Sequence, residues 1–336
     1  RDRSYNMKRK KIIAMHPYLH NKSSLTFQLD VYNSWERLGG STKKGIRIPL
    51  WIQYVIAKLK LTFNISQKGK TVRLFFGGGT PDYSIFPYCF YNEVIPMLWD
   101  CWPKYHNRLF ASLVRNKIRT VILTSSQLAC IIRQKFPLMN VIYLPEGIDE
   151  TKYKNNCKLI DRHIDLLEFG RPSGKIHDLI VAHKSEILKS HRYSMSGWIF
   201  PDHESFINGL ADTKIAITFP RCDTDPVKAG NIETLTQRYW ECMLSGCILL
   251  GRAPQELIDL IGYNPVVTVD PVFPHLQIDD ILNHLNDYQE MVERNYLTAL
   301  EYASWDIRVS YLKKELVRLE YNVCLLYTSP SPRDRS

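Results

Sequence analysis

The chain has 336 residues, enough for about two domains, and at 45% hydrophobic it can bury substantial cores. Its formal net charge of +10 suits anionic ligands: nucleotide diphosphates, lipid-linked phosphates or an anionic membrane face. With no continuous basic run and no recognition motif, nucleic acid is set aside as a partner.

No apolar run approaches the roughly 18 residues of a spanning helix. The basic residues 9–11 precede too short an apolar run for a signal peptide. The eight cysteines have neither a paired framework nor zinc-ligand spacing. They read as small core residues of a reducing, cytoplasmic compartment.

In chain order, a strand is expected over 10–15, ending at His16-Pro17, then helices over 25–38 and 50–61. The second helix carries Trp51 and Tyr54, which leaves a membrane-surface role open beside burial. A strand over 71–76 runs into Gly77-Gly78-Gly79, either a turn or a close approach to a ligand. A strand over 94–99 ends at Asp100, between Trp99 and Trp102. Helix 104–115, strand 120–124, a helix capped by Ser125 or Ser126 and running through 134, and strand 141–144 follow. His16 and His106, as lone histidines, read as structural.

After Pro145-Glu146-Gly147-Ile148-Asp149 the pattern restarts. Strand 164–169 leads into Gly170 and Arg171, with Lys175 just beyond, then helix 177–189 and strand 193–196. Strand 215–219, a polar loop over 220–232, a helix over 234–245, Gly246 and strand 247–251 form a parallel βαβ unit. A strand over 266–269 and helices over 276–285, 288–302 and 305–321 complete the chain. The alternation is that of two doubly wound parallel α/β sheets, whose ligands bind beyond the carboxyl ends of the strands.

The βαβ unit carries Glu233 and Glu241 with seven residues between them, in ETLTQRYWECMLSGC. This resembles the E-x7-E signature of retaining glycosyltransferases of the GT-B fold, the group 1 family. Ser245 and Gly246 match the small residues before the second strand, while Thr234 and Thr236 stand where many members have glycines. The resemblance covers residues 146–303; over the first half it is topological.

It implies a Rossmann-like acceptor-side domain over 1–150, a nucleotide-sugar-binding domain over 151–305, a crossover helix over 306–322 and a tail over 323–336. It also implies that Glu241 holds the ribose of a nucleotide-sugar, that Glu233 approaches the donor sugar, and that Arg171 and Lys175 after Gly170 neutralise the diphosphate. Ser196 falls on the donor side. Asp100 is the acceptor-side carboxylate, or else a helix cap before Pro103. The acceptor would be a carbohydrate or lipid-linked hydroxyl, in capsule or O-antigen synthesis on the cytoplasmic face of a bacterial inner membrane. No catalytic base is named and no metal is expected.

Each residue has a plainer reading. Glu241 can pair with Arg238 one turn back, and Arg171 and Lys175 can be solvated at a helix start. Three rivals stay open. A domain of this fold can bind sugar or nucleotide without catalysis. A dinucleotide-dependent oxidoreductase would want a glycine fingerprint after the first strand, where His16-Pro17-Tyr18 stands. The D-x-D at Asp223 and Asp225 is the metal motif of GT-A transferases, although here it lies in a loop of the second half. Residues 324–334, CLLYTSPSPRD, resemble translated sequencing adapter, and with Arg1 in place of Met they suggest a fragment of an open reading frame.

Overall fold

The structure is a computed structural model that describes residues 9–17, 26–46, 48–60, 70–155, 157–171, 173–183, 185–194 and 199–323, apart from five side chains in helices (26, 50, 53, 57 and 83). The first half contains β1 (Lys11–Met15), α1 (Thr26–Arg37), β2 (Thr42–Lys43), α2 (Leu50–Leu59), β3 (Thr71–Gly78), α3 (Asp82–Ile85), β4 (Glu93–Trp99), α4 (His106–Arg115), β5 (Thr120–Leu123), α5 (Ser126–Lys135) and β6 (Asn140–Tyr143). The second contains β7 (Ile164–Glu168), α6 (Gly174–Val181), β8 (His191–Tyr193), α7 (His203–Ala211), β9 (Thr213–Thr218), α8 (Arg221–Thr224), α9 (Pro226–Ala229), α10 (Gln237–Leu244), β10 (Ile248–Gly251), α11 (Gln255–Ile261), β11 (Val267–Thr268), α12 (Pro274–Asn283), α13 (Gln289–Tyr302) and α14 (Trp305–Arg318).

Two parallel sheets result, β2-β1-β3-β4-β5-β6 and β11-β10-β9-β7-β8. Their central strands are apolar without alternation, because helices cover both faces. Every residue of β4, β5 and β10 is buried.

The expected helix over 177–189 starts earlier and stops at Val181. The Ser185 hydroxyl takes the amides of Ile187 (3.0 Å) and Leu188 (2.9 Å), a local bond that competes with helix. The helix expected from 234 begins at Gln237, since the Leu235 amide is claimed by Glu256 (2.9 Å). The loop expected over 220–232 contains the single-turn helices α8 and α9. Three helices had no counterpart in the sequence reading: the single turn α3, α7 and α11. α7 contains Gly209, where a Cβ would come within 2.2 Å of the Phe200 ring, and α11 has seven residues, too few to show a period.

The two halves are joined twice. Ile148 N donates to Ala303 O (2.8 Å) and Trp305 N to Ile148 O (3.1 Å), so the two crossings run side by side. At Gly147 a Cβ would lie 2.8 Å from Ala303 O and 3.1 Å from the Trp305 ring, so the crossing has no room for a side chain. α14 then packs on the first domain. Trp305, Val309, Leu312 and Leu316 join its core, each contributing about 1.5–3 kcal/mol. Asp306 accepts from Ser34 Oγ (2.5 Å) and Arg37 Nη2 (2.6 Å) on α1.

The crossover helix ends at Arg318, short of the expected 322. Asn322 instead lies beside β1: Ile12 N donates to Asn322 O (3.2 Å) and Asn322 N to Lys10 O (2.9 Å). Val323 packs on the same core. A chain stopped after Tyr321 is therefore expected to melt a few degrees below one stopped after Val323, since two backbone hydrogen bonds are lost. Equal melting temperatures in differential scanning calorimetry would contradict this.

Candidate functional site

The carboxyl ends of β4 and β5 face the second domain across an open crevice. Asp100, Thr124 and Ser125 line one side, Glu146 of the linker the floor, and Thr234 and Thr236 the other side.

Asp100 directly follows β4, and its backbone is left-handed, with φ 53°. Its carboxylate accepts from Trp102 Nε1 (3.1 Å), while Oδ1 lies 3.9 Å from Arg221 Nη1. Arg221 is buried, lies over the Trp102 ring at 4.7 Å and is held by Asp225 (3.0 Å). α8 and α9 thus dock on the first domain at Trp102, with Lys228 over the Tyr105 ring (5.7 Å), and close one wall of the crevice. Of the glycine run, Gly77 and Gly78 belong to β3, and Gly79, at φ 69°, ends the strand with its amide donating to Trp99 O (2.7 Å). His106 Nε2 donates to Cys101 O (3.2 Å), in keeping with a structural part.

The basic group differs from the pair expected. Arg171 sits with Arg238 and Arg221; burial lowers its pKa, and these two guanidiniums lower it further. Lys175 is exposed in the first turn of α6. Arg238, from α10, lies over the Phe169 ring at 5.2 Å. Gly170 makes room for it: at φ 76°, a Cβ there would come within 2.0 Å of Arg238 Nη2. Like charges gathered this way favour an anion between them. Ser196 lies outside the described residues.

The two carboxylates of the E-x7-E stretch have different surroundings. Glu241 Oε1 accepts from the Tyr153 hydroxyl (3.1 Å). Burial pushes its pKa up to about 6, against the pull of that hydroxyl and of Arg238. Glu233 stands before α10 and is held by Arg252 Nη1 and by the Gln255 amide (3.0 Å). Its backbone amide crosses the crevice to Gln127 Oε1 (2.7 Å).

The D-x-D aspartates are engaged with arginines. Asp223 takes Arg252 Nε (2.6 Å) and Nη2 (2.8 Å), and Asp225 takes Arg221, which holds the Asp225 carboxyl below its usual range. Among the described residues, no group of three or more His, Cys, Asp and Glu is placed to hold a metal ion.

Two further carboxyls lie at the crevice or close to it. Glu256, buried on α11, reaches across to the first turn of α5 and accepts from Ser126 N (2.5 Å) and Ser126 Oγ (2.6 Å). Glu146 has its pKa pushed well above the carboxylate range, by burial first, then by Asp100 and Glu256. Neither carries a motif; Glu146 was visible only as part of the phrase linking the two halves.

No family model matches the chain, and no curated protein does. Solved structures do. HepE of Anabaena, in complex with UDP and glucose, superposes with a TM-score of 0.60 at 10% identity, covering 92% of this chain and 100% of that one. Sucrose-phosphate synthase of Thermosynechococcus elongatus gives 0.59 at 12%, covering 93% and 99%. A glycosyltransferase of Rickettsia africae gives 0.54 at 10%, covering 93% and 99%. The fold is that of GT-B glycosyltransferases, two Rossmann-like domains, and the GT-A alternative built on Asp223 and Asp225 falls with it.

Proposed function

We propose that the chain is a glycosyltransferase that moves a sugar from a nucleotide-diphosphate donor to a hydroxyl acceptor with retention at the anomeric carbon. The observation that carries this reading is the cluster of Arg171, Arg238 and Glu241 in a GT-B fold, with Arg238 near enough to shift the titration of both others. The bond from the anomeric carbon to the diphosphate breaks, the acceptor oxygen bonds on the same face, and its proton passes to the departing phosphate oxygen. Charge grows on that leaving group, where fixed guanidiniums stabilise it. Glu241 accepts the paired ribose hydroxyls. Glu233 and Asp100 are assigned to donor sugar and acceptor respectively. Screening nucleotide sugars for donor hydrolysis tests the reading; binding or turnover of none of them would refute it.

A second reading, a nucleotide-sugar binder without turnover, is favoured by one contact: Glu233 is already bound by Arg252 and the Gln255 amide. Nucleotide binding without hydrolysis of any donor would select it.

The same reading extends to surface-polysaccharide synthesis at a bacterial membrane. It is supported by α2, where Trp51, Tyr54, Val55 and Leu59 are exposed beside Lys58.

No metal is required at the diphosphate when arginines supply the charge. Donor hydrolysis is therefore expected to survive EDTA, and Asp225→Asn, which removes a charge but keeps an oxygen that accepts from the buried Arg221, to change it only modestly. Complete loss in EDTA with recovery in Mn²⁺ would overturn the assignment.

A further inference from the structure

Positive charge is spread unevenly along the chain. Between Glu36 and Asp82 stand nine lysines and arginines and no aspartate or glutamate, against a net charge of +10 for the whole sequence. Lysines elsewhere are neutralised: Lys10 by Glu93 (2.5 Å), Lys152 by Asp30 (2.7 Å) and Lys214 by Asp165 (2.7 Å). Lys43, Lys44, Lys58 and Lys60 are exposed, and among the described residues none of the four has a carboxylate within ion-pairing distance.

The helix α2 lays an apolar face in the middle of this stretch. Trp51, Tyr54, Val55, Lys58 and Leu59 recur at the spacing of one helical face. A helix that packs that face inward covers it. Here Trp51 is 69% exposed and Leu59 61%, and Ile46, just before the helix, is 63% exposed. The approach to the helix is anchored, because the Ile46 amide donates to the Tyr88 hydroxyl (3.2 Å). α2 also packs against α3, which follows the carboxyl end of β3, so the face lies beside the edge of the sheet at which the crevice opens.

An apolar stripe crossed by lysines and flanked by no acid matches the boundary of an anionic bilayer. Trp and Tyr settle at the headgroup level, aliphatic side chains enter the acyl region, and lysine stems carry their charge back to the phosphates. A second copy of the chain fits poorly, since two such faces would bring only cations together. RNA would meet the lysines but leave the stripe in water.

We propose that α2, with Lys43, Lys44 and Lys60 at its flanks, is a docking surface for an anionic lipid bilayer. This deepens the membrane part of the reading above and rests on that reading for the acceptor the bilayer would present. Vesicle binding is measured without donor or acceptor, so it can fail while donor hydrolysis stands, or hold while hydrolysis fails.

The full chain is floated with vesicles of phosphatidylcholine alone, or of phosphatidylcholine and phosphatidylglycerol at roughly seven to three. Binding to the anionic vesicles is expected to be roughly tenfold tighter or more, and to weaken in high salt. Two double variants divide the surface. Lys58→Glu with Lys60→Glu, and Trp51→Ser with Leu59→Ser, should each weaken binding roughly tenfold or more, with melting temperatures near that of the wild type, since all four side chains are exposed. No binding to anionic vesicles, or equal binding to both kinds, would overturn the proposal. So would loss in the lysine variant with none in the Trp51/Leu59 variant, which is adsorption by charge alone. A dimer in lipid-free sedimentation that the Trp51/Leu59 variant dissolves would give the face to a second copy and overturn it too.

Discussion

Arg171→Ala and Arg238→Ala are each expected to weaken binding of a nucleoside diphosphate by roughly 10- to 100-fold while leaving the nucleoside nearly unchanged. A hydrogen bond to a charged group is worth about 1.5–3 kcal/mol, and tenfold in affinity is about 1.4 kcal/mol. The two guanidiniums sit close enough to depress the Arg171 pKa, so an anion that enters between them relieves repulsion as well as gaining contacts. Lys175→Ala, on an exposed side chain outside the cluster, is expected to have a smaller effect than either. Isothermal titration with UDP and with uridine measures both ligands. Equal losses for the two, or a Lys175 effect that exceeds the Arg238 effect, would remove the diphosphate from this cluster.

Glu241→Gln should raise the donor Michaelis constant by roughly tenfold at pH 7.5, because a charged acceptor for the ribose hydroxyls becomes a neutral one. The wild-type carboxyl titrates at about 6, so nucleotide affinity should fall as pH drops below that value. The Gln variant should lack this limb. Stability runs the other way. The folded state binds more protons than the unfolded state between pH 4.5 and about 6, since the pKa is raised in the fold. Wild-type stability therefore declines as pH rises through that window. At 1.36 kcal/mol per pKa unit, Glu241→Gln is expected to gain about 2 kcal/mol on the wild type above pH 6, with the difference vanishing below pH 4.5. A variant with normal donor affinity, or one whose relative stability does not vary with pH, would remove Glu241 from the site.

Much of this arrangement is written locally in the chain. Continuous apolar runs such as 215–218 and 248–250 are buried on both faces wherever they sit, so two covered parallel sheets follow from their alternation with helical segments. The glycines and serines at strand ends mark where side chains reach the crevice; Ser125, with extended backbone and its hydroxyl accepting from the Leu128 amide (3.4 Å), caps α5 as its sequence implies. Asp100 could be placed at the crevice from its position after a strand; Gly170, Arg171 and Glu241 are proposed as site residues from such positions and from the E-x7-E stretch.

Other features depended on contacts between distant segments. Lys175 is the basic residue nearest Arg171 in sequence, yet Arg238 occupies the place beside it, because α10 lies over Gly170 and no Cβ stands in the way. Glu233 matches a motif position, but which group its carboxylate meets was decided by Arg252 at the end of β10 and by the first turn of α11. The start of α10 shifted to Gln237 because Glu256 takes the Leu235 amide. Glu146 shows the difference most fully. In the chain it is one residue of a linker between two domains. Its pKa is pushed up by burial first, and then by Asp100, Glu256 and Glu241, which three separate elements bring around it. Periodicity and turn chemistry act over a few residues and can be read along the chain, whereas the charge at a buried carboxyl is the sum of fields from segments that only the closed crevice assembles.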